Sequence, residues 1–134
     1  MSFIGKWIKA KCGASTDLTT LVPSRVYPVT SYQKETQDFQ PEIVWSQKIM
    51  PGDLNKTQRL TQYRCDVTFN IWAATYDELD PIDNALQDAL DFTEGTAGGI
   101  EVVVAEYQGG ADEFSEEMQL FLRTANFIFK VKRT

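Results

Sequence analysis

Residues 63 to 71 alternate without a break. Tyr63, Cys65, Val67, Phe69 and Ile71 are apolar, and Arg64, Asp66, Thr68 and Asn70 between them are polar. A period of two predicts a β-strand with one covered face. A slip of one residue would turn every side chain over, so the pattern also fixes the pairing register. The same alternation returns near the end of the chain. There Ala125, Phe127, Phe129 and Val131 point inward, while Asn126, Lys130 and Lys132 point outward. "PEIVWSQKI" and "IEVVVAEY" are two further strands, the first from Glu42 to Ile49.

Helical spacing appears twice. Phe3, Ile4, Trp7 and Ile8 share one face of a first helix, with Ser2 as its cap and Gly13 as its stop. Leu79, Ile82, Leu86, Ala89 and Leu90 form the buried stripe of a second, and Asp83, Gln87, Asp88 and Asp91 are expected to face water. The second helix has two possible starts. Thr75 with Glu78 makes a capping box, and Asp80-Pro81 makes a cap with proline at the first helical position. A proline deep in a helix costs about 3 kcal/mol, so regular helix is expected from Pro81, after a preliminary turn from Thr75 to Leu79.

The remaining stretches read as connections. Asp17 to Leu21 offer one short turn of helix before Pro23. Val26 and Tyr27 are extended ahead of Pro28. "TSYQKETQDFQ" is polar and exposed. "MPGDLNKTQRLTQ" is a long loop after the Pro51-Gly52 breaker. "TEGTAGG" is a flexible link that lacks the Lys-Ser or Lys-Thr of a phosphate loop. "QGGADEFSEEMQ" is an acidic loop. The expected architecture is a single α+β domain over residues 1–134, in the order helix, strand, strand, helix, strand, strand. It is a four-stranded, mainly antiparallel sheet with two helices packed on one face. The open face carries Arg64, Asp66, Thr68, Asn70, Asn126 and Lys130, where a partner subunit could sit.

Composition narrows the chemistry. At 134 residues, with 43% hydrophobic and 24% charged positions, the chain can build one real core. No window holds the roughly 18 apolar residues of a membrane helix, and folding in a cytoplasm is expected. The chain has no histidine, so the usual bases for Ser or Cys nucleophiles and the commonest metal ligand are missing. Cys12 and Cys65 read as free buried thiols, with a disulfide as the lesser alternative. The formal net charge of −6 disfavours a broad duplex-binding surface.

Carboxylates are the remaining catalytic currency. Asp112, Glu113, Glu116 and Glu117 cluster in the acidic loop. Asp77, Glu78, Asp80 and Asp83 cluster at the second helix's start, where they favour the helix dipole. Asp66 and Glu101 are the only mid-strand acids, a poor basis for two-metal chemistry. No catalytic, metal or cofactor site is predicted.

The order of elements and several phrases resemble the tail-terminator, or tail-completion, proteins of long-tailed phages. The phrases are "VPSRVYP", "QPEIVWSQKI", "QYRCDVTFNIWAATYDELDPIDNALQDALD" and a closing "FIFKVK". Pro81 departs from the uninterrupted helix usual in that family. The resemblance implies a structural virion protein without enzymatic activity, assembled in the host cytoplasm and located at the head-proximal end of the tail. Six copies would form a ring on the tail tube, stop its growth and present the surface for the head–tail connector. DNA would pass through the lumen without specific binding, and no membrane is involved. Related particles, including gene transfer agents, use similar parts. Subunit or tube contacts are expected at Asp53, Leu54, Asn55, Lys56 and Arg59 in the long loop, and at Asp112, Glu113, Phe114, Glu116 and Glu117 in the acidic loop. Lys130, Lys132 and Arg133 form a basic counterpart. The alternatives are a head-side neck or adaptor protein, a small metal-dependent hydrolase and a monomeric binding module.

Overall fold

A computed structural model describes residues 4–23, 25–29, 39–50, 62–91 and 93–132. The expected Ser2 cap, Phe3, the polar connection at 30–38 and the long loop at 51–61 lie outside these residues. The chain runs α1 (Gly5–Ala14), α2 (Thr16–Leu21), β1 (Val26–Pro28), β2 (Glu42–Met50), β3 (Gln62–Ala73), a 3-10 turn (Tyr76–Glu78), α3 (Leu79–Leu90), β4 (Gly95–Ala97), β5 (Ile100–Ser115) and β6 (Leu120–Lys132).

The six strands form one curled sheet in the order β1-β2-β3-β6-β5-β4. The expectation of a four-stranded sheet with two helices is wrong on both counts. β1 pairs parallel to β2, which makes the sheet mixed, and β4 pairs antiparallel to β5. Each of these edge strands has three residues. Three residues cannot display a period, and β4 carries Gly95, so composition pointed to a link instead. The third helix is α2, where the Ser15 hydroxyl accepts the Leu18 N–H at 3.2 Å and caps six residues.

The alternating strands hold their register. β3 pairs with β6 from Gln62↔Lys132 to Ala73↔Phe121, placing Val67 beside Phe127 and Cys65 beside Phe129. These inward residues are buried with Trp7, Ile8, Ile82, Leu86 and Leu90 of the helices. Phe127 meets Phe69 edge-on at 5.4 Å, and Trp7 meets Phe129 at the same distance. The Trp7 indole also donates to the Gly95 carbonyl at 3.2 Å, tying α1 to β4.

Two helix boundaries differ from expectation. α1 passes through Gly13 and ends at Ala14. α3 begins at Leu79, with Pro81 inside its first turn. Proline costs little there, because an N–H in the first turn has no helical acceptor. The capping box still forms ahead of it. The Glu78 carboxylate accepts the Thr75 N–H at 3.2 Å and the Thr75 hydroxyl at 2.8 Å.

The acidic segment is the larger surprise. β5 continues through it to Ser115, and only Glu116–Gln119 form the turn into β6. The result is a long hairpin that runs beyond the helices. Beyond Tyr107 most β5 residues are exposed on both faces, so no alternation marked that strand. The hairpin bends at a bulge between Tyr107 and Gly109. Gly109 has φ +110, and a Cβ on Gly110 would collide with the Thr124 carbonyl oxygen. Only glycine meets both demands in this sequence.

The face away from the helices is less polar than expected. Thr68 donates to Asn126 at 3.0 Å, and Arg64 pairs with Asp66 at 2.6 Å. Half-buried Val44, Trp72, Leu122 and Ile128 lie among them.

Candidate functional site: the hairpin root

The inner face of the hairpin meets the start of α3, and Arg123 of β6 stands at the junction. The β5–β6 register sets Arg123 opposite Asp112. Its guanidinium grips that carboxylate with two bonds, Nε to Oδ1 at 2.6 Å and Nη2 to Oδ2 at 3.0 Å. Nη1 reaches Asp80 at 2.5 Å and Asp83 at 3.5 Å, both on α3. The guanidinium carbon lies 5.9 Å from the Tyr76 ring, and the Tyr76 hydroxyl donates to Asp112 at 2.6 Å. One cation therefore joins β5, β6, the 3-10 turn and α3.

The four charged groups differ in exposure. Asp80 is 67% exposed and Asp112 34%, while Asp83 and Arg123 are only 10% and 15% exposed. Asp83 was expected to face water. It is buried instead, because the hairpin covers this end of α3. Its Oδ1 has no hydrogen-bond partner. The bonds from Arg123, and then from Tyr76, hold the Asp112 carboxyl below its usual range. The hydrogen bond to Asp112 raises the Tyr76 phenol. Burial, and then the Asp83 charge, raises Tyr107.

Asp83, Tyr107, Gly110, Ala111, Asp112, Arg123 and Thr124 line an open cleft of about 330 Å³. Among the described residues, no cluster of three or more His, Cys, Asp or Glu side chains has the geometry to hold a metal ion. The Arg123 guanidinium sits between the carboxylates. The arrangement ties the hairpin to α3 through Arg123.

The expected contact residues divide into three groups. Asp53, Leu54, Asn55, Lys56, Arg59 and Arg133 lie outside the described residues. Asp112 and Phe114 come together on the inner face, where Phe114 packs on Phe121 at 4.8 Å and Phe121 on Tyr76 at 5.8 Å. Glu113 sits on the strand, and Glu116 and Glu117 are exposed in the turn. Lys130 and Lys132 are exposed at the opposite end of β6, with Lys132 3.5 Å from Glu101. They do not meet the acidic hairpin within one chain. Sequence reasoning missed Arg123, Tyr76 and the joining role of Asp80 and Asp83. Two signals were present. Arg123 continues the inward row of Ala125 and Phe127, and Gly109-Gly110 is a bulge signature inside a strand.

No family model matches the chain, and no curated protein sequence does. Solved structures do. One is a chain from the virion of a native gene transfer agent particle, with a TM-score of 0.71 and 15% identity, covering 94% of this chain and 92% of that one. A second, known by a sequence identifier alone, has a TM-score of 0.61 and 13% identity, covering 97% and 93%. At these identities the likeness establishes a shared fold. It runs over nearly the whole of each chain.

Proposed function

We propose that this protein is a structural component of a phage-like virion, and within it a tail terminator. In that role several copies form a ring on the end of the tail tube, halt its growth and present the surface to which the head is joined. The protein acts by contact and catalyses nothing. The observation that carries the reading is the near-complete structural likeness to a chain of a gene transfer agent virion. Two features support it. The hairpin projects beyond the core on a braced root, as a contact arm must. The sheet's outer face offers half-buried apolar side chains among hydrogen-bonding ones, the mixture found at subunit contacts. A ring of six fits the reading, with the tail tube and the head–tail connector as its neighbours. An acidic chain lining the lumen would let DNA pass without adhering.

Electron microscopy of particles made with this gene silenced tests the proposal. Tails of runaway length beside filled, unattached heads are the expected result. Tails of normal length that fail to join heads would move the protein to the neck. Normal infectious particles would refute a structural role in the virion.

A further inference from the structure

Charge on this chain is segregated along the sheet. Helix α1 carries Lys6, Lys9 and Lys11 and no acid. Lys6 and Lys9 are exposed and make no salt bridge among the described residues, while Lys11 lies over the Trp7 ring at 5.6 Å. Residues 106–119 carry five carboxylates and neither Lys nor Arg. The two regions lie at opposite ends of β5. α1 packs on β4 and the start of β5, where a Cβ on Gly98 would come within 2.7 Å of the Lys6 carbonyl oxygen. The hairpin tip lies at the far end of this sixteen-residue strand, about 50 Å away at ordinary strand rise.

The hairpin's inner face is also apolar and under-neutralised. Tyr76, Phe114 and Met118 are three of the four exposed large hydrophobics among the described residues. Tyr76 and Phe114 both pack on Phe121 and form a ledge. Beside the ledge is the root cleft, where three carboxylates face one guanidinium. Asp83 lines this cleft with 7% exposure and leaves its Oδ1 without a partner. The surface therefore suits a cationic side chain with a long apolar stem, such as a lysine.

We propose that the inner face of one copy's hairpin receives the lysine-bearing face of α1 from a second copy. This rests on the assembly role proposed above and names its subunit contact. The Lys6 and Lys9 stems cross the aromatic ledge and their ammonium groups face the carboxylates of the root. The occupant is another copy because the complementary patches are on one chain, and Trp7 of α1 packs on Phe129, six residues along β6 from Arg123 or about 20 Å at ordinary strand rise, farther than a lysine side chain reaches. A contact between two different patches is head-to-tail, so it closes into a ring or extends as a filament.

The test is a charge exchange, read by sedimentation of the full chain at about 0.1 M salt, where distant charges are screened and close pairs are not. K6E/K9E reverses the lysine face, D80K reverses the exposed carboxylate of the root while sparing the buried Asp83–Arg123 pair, and circular dichroism checks that both fold. Wild type is expected to self-associate, and each variant alone to associate at least tenfold more weakly. An equimolar mixture of the two should recover association, since each then offers the patch the other lacks. Wild type that stays monomeric up to about 1 mM would overturn the contact, as would a mixture no better than its parts. DNA binding by Lys6 and Lys9 without self-association would also overturn it. Immunodetection of the protein in purified particles separates the two levels. Presence in particles without the charge exchange retains the virion role and discards this contact.

Discussion

Replacing Arg123 with alanine should be among the most damaging single changes to this protein. The magnitude follows from exposure. Asp83 is only 10% exposed at its side chain, and Arg123 is the cation within its reach. Breaking a fully buried pair from one side costs about 3–5 kcal/mol. The 3.5 Å separation makes this pair weaker than that limit. The Asp112 grip is a third exposed at the carboxylate and adds under ~1 kcal/mol after screening. A loss of about 3 kcal/mol results. For a chain of this length that is a fall in Tm of roughly 10 °C. If the hairpin detaches before the core melts, the same energy appears as a ~100-fold rise in amide exchange over residues 110–124. Two controls give the argument its shape. D80A touches a carboxylate that is 67% exposed and should cost under ~1 kcal/mol. R123M/D83L removes both buried charges and should recover much of the loss, since no orphaned carboxylate remains. Melting curves and exchange for the four proteins decide it. R123A within ~1 kcal/mol of wild type by both methods would refute the reasoning, as would a double variant no better than R123A.

Three other outcomes are expected. G110A should lose about 2–3 kcal/mol or more in urea unfolding, because its Cβ meets the Thr124 carbonyl oxygen and the bulge cannot give way cheaply; a neutral result would mean that the bend is not rigid. Asp112 is held below its ordinary value of 3.8, so its contribution to stability is present above that value and lost as pH falls through the lower folded one. D112N should thus be less stable than wild type at pH 7, and the difference should vanish as pH falls through the lowered folded value, as read from acid titration followed by near-ultraviolet circular dichroism. Both thiols are buried, and burial pushes Cys12 up to about 12 and Cys65 up to about 11. At pH 8 they should resist a thiol reagent in the native protein and react fully in denaturant; rapid labelling of the folded chain would contradict the burial.

The central strands were legible because their inner rows are covered along their length. β3 and β6 alternate where helices lie over them, and the alternation fixed both faces and the register. Legibility stopped where cover stopped. β5 beyond Tyr107 pairs with β6 but buries little, so polar residues were free to accumulate and read as a loop. β1 and β4 were invisible for want of length. The root of the hairpin was hidden for another reason. Asp83 and Arg123 are forty positions apart, and nothing local to either marks the other. A lone Asp on a helix start is ordinarily a dipole partner, and only the tertiary contact shows that it is enclosed.

The sheet also bears on what the free subunit avoids. β4 covers β5 only from Ile100 to Val102, so among the described residues no strand occupies that edge of β5 as far as Ser115. A bare edge of that length is a template on which chains stack into ribbons. Here it is twice bulged, between Val102 and Val104 and between Tyr107 and Gly109, and it carries Glu106, Asp112 and Glu113. Each bulge throws the hydrogen-bonding groups out of line, and each carboxylate repels the same edge on another copy. One copy is thereby hindered from joining another backbone to backbone along this edge.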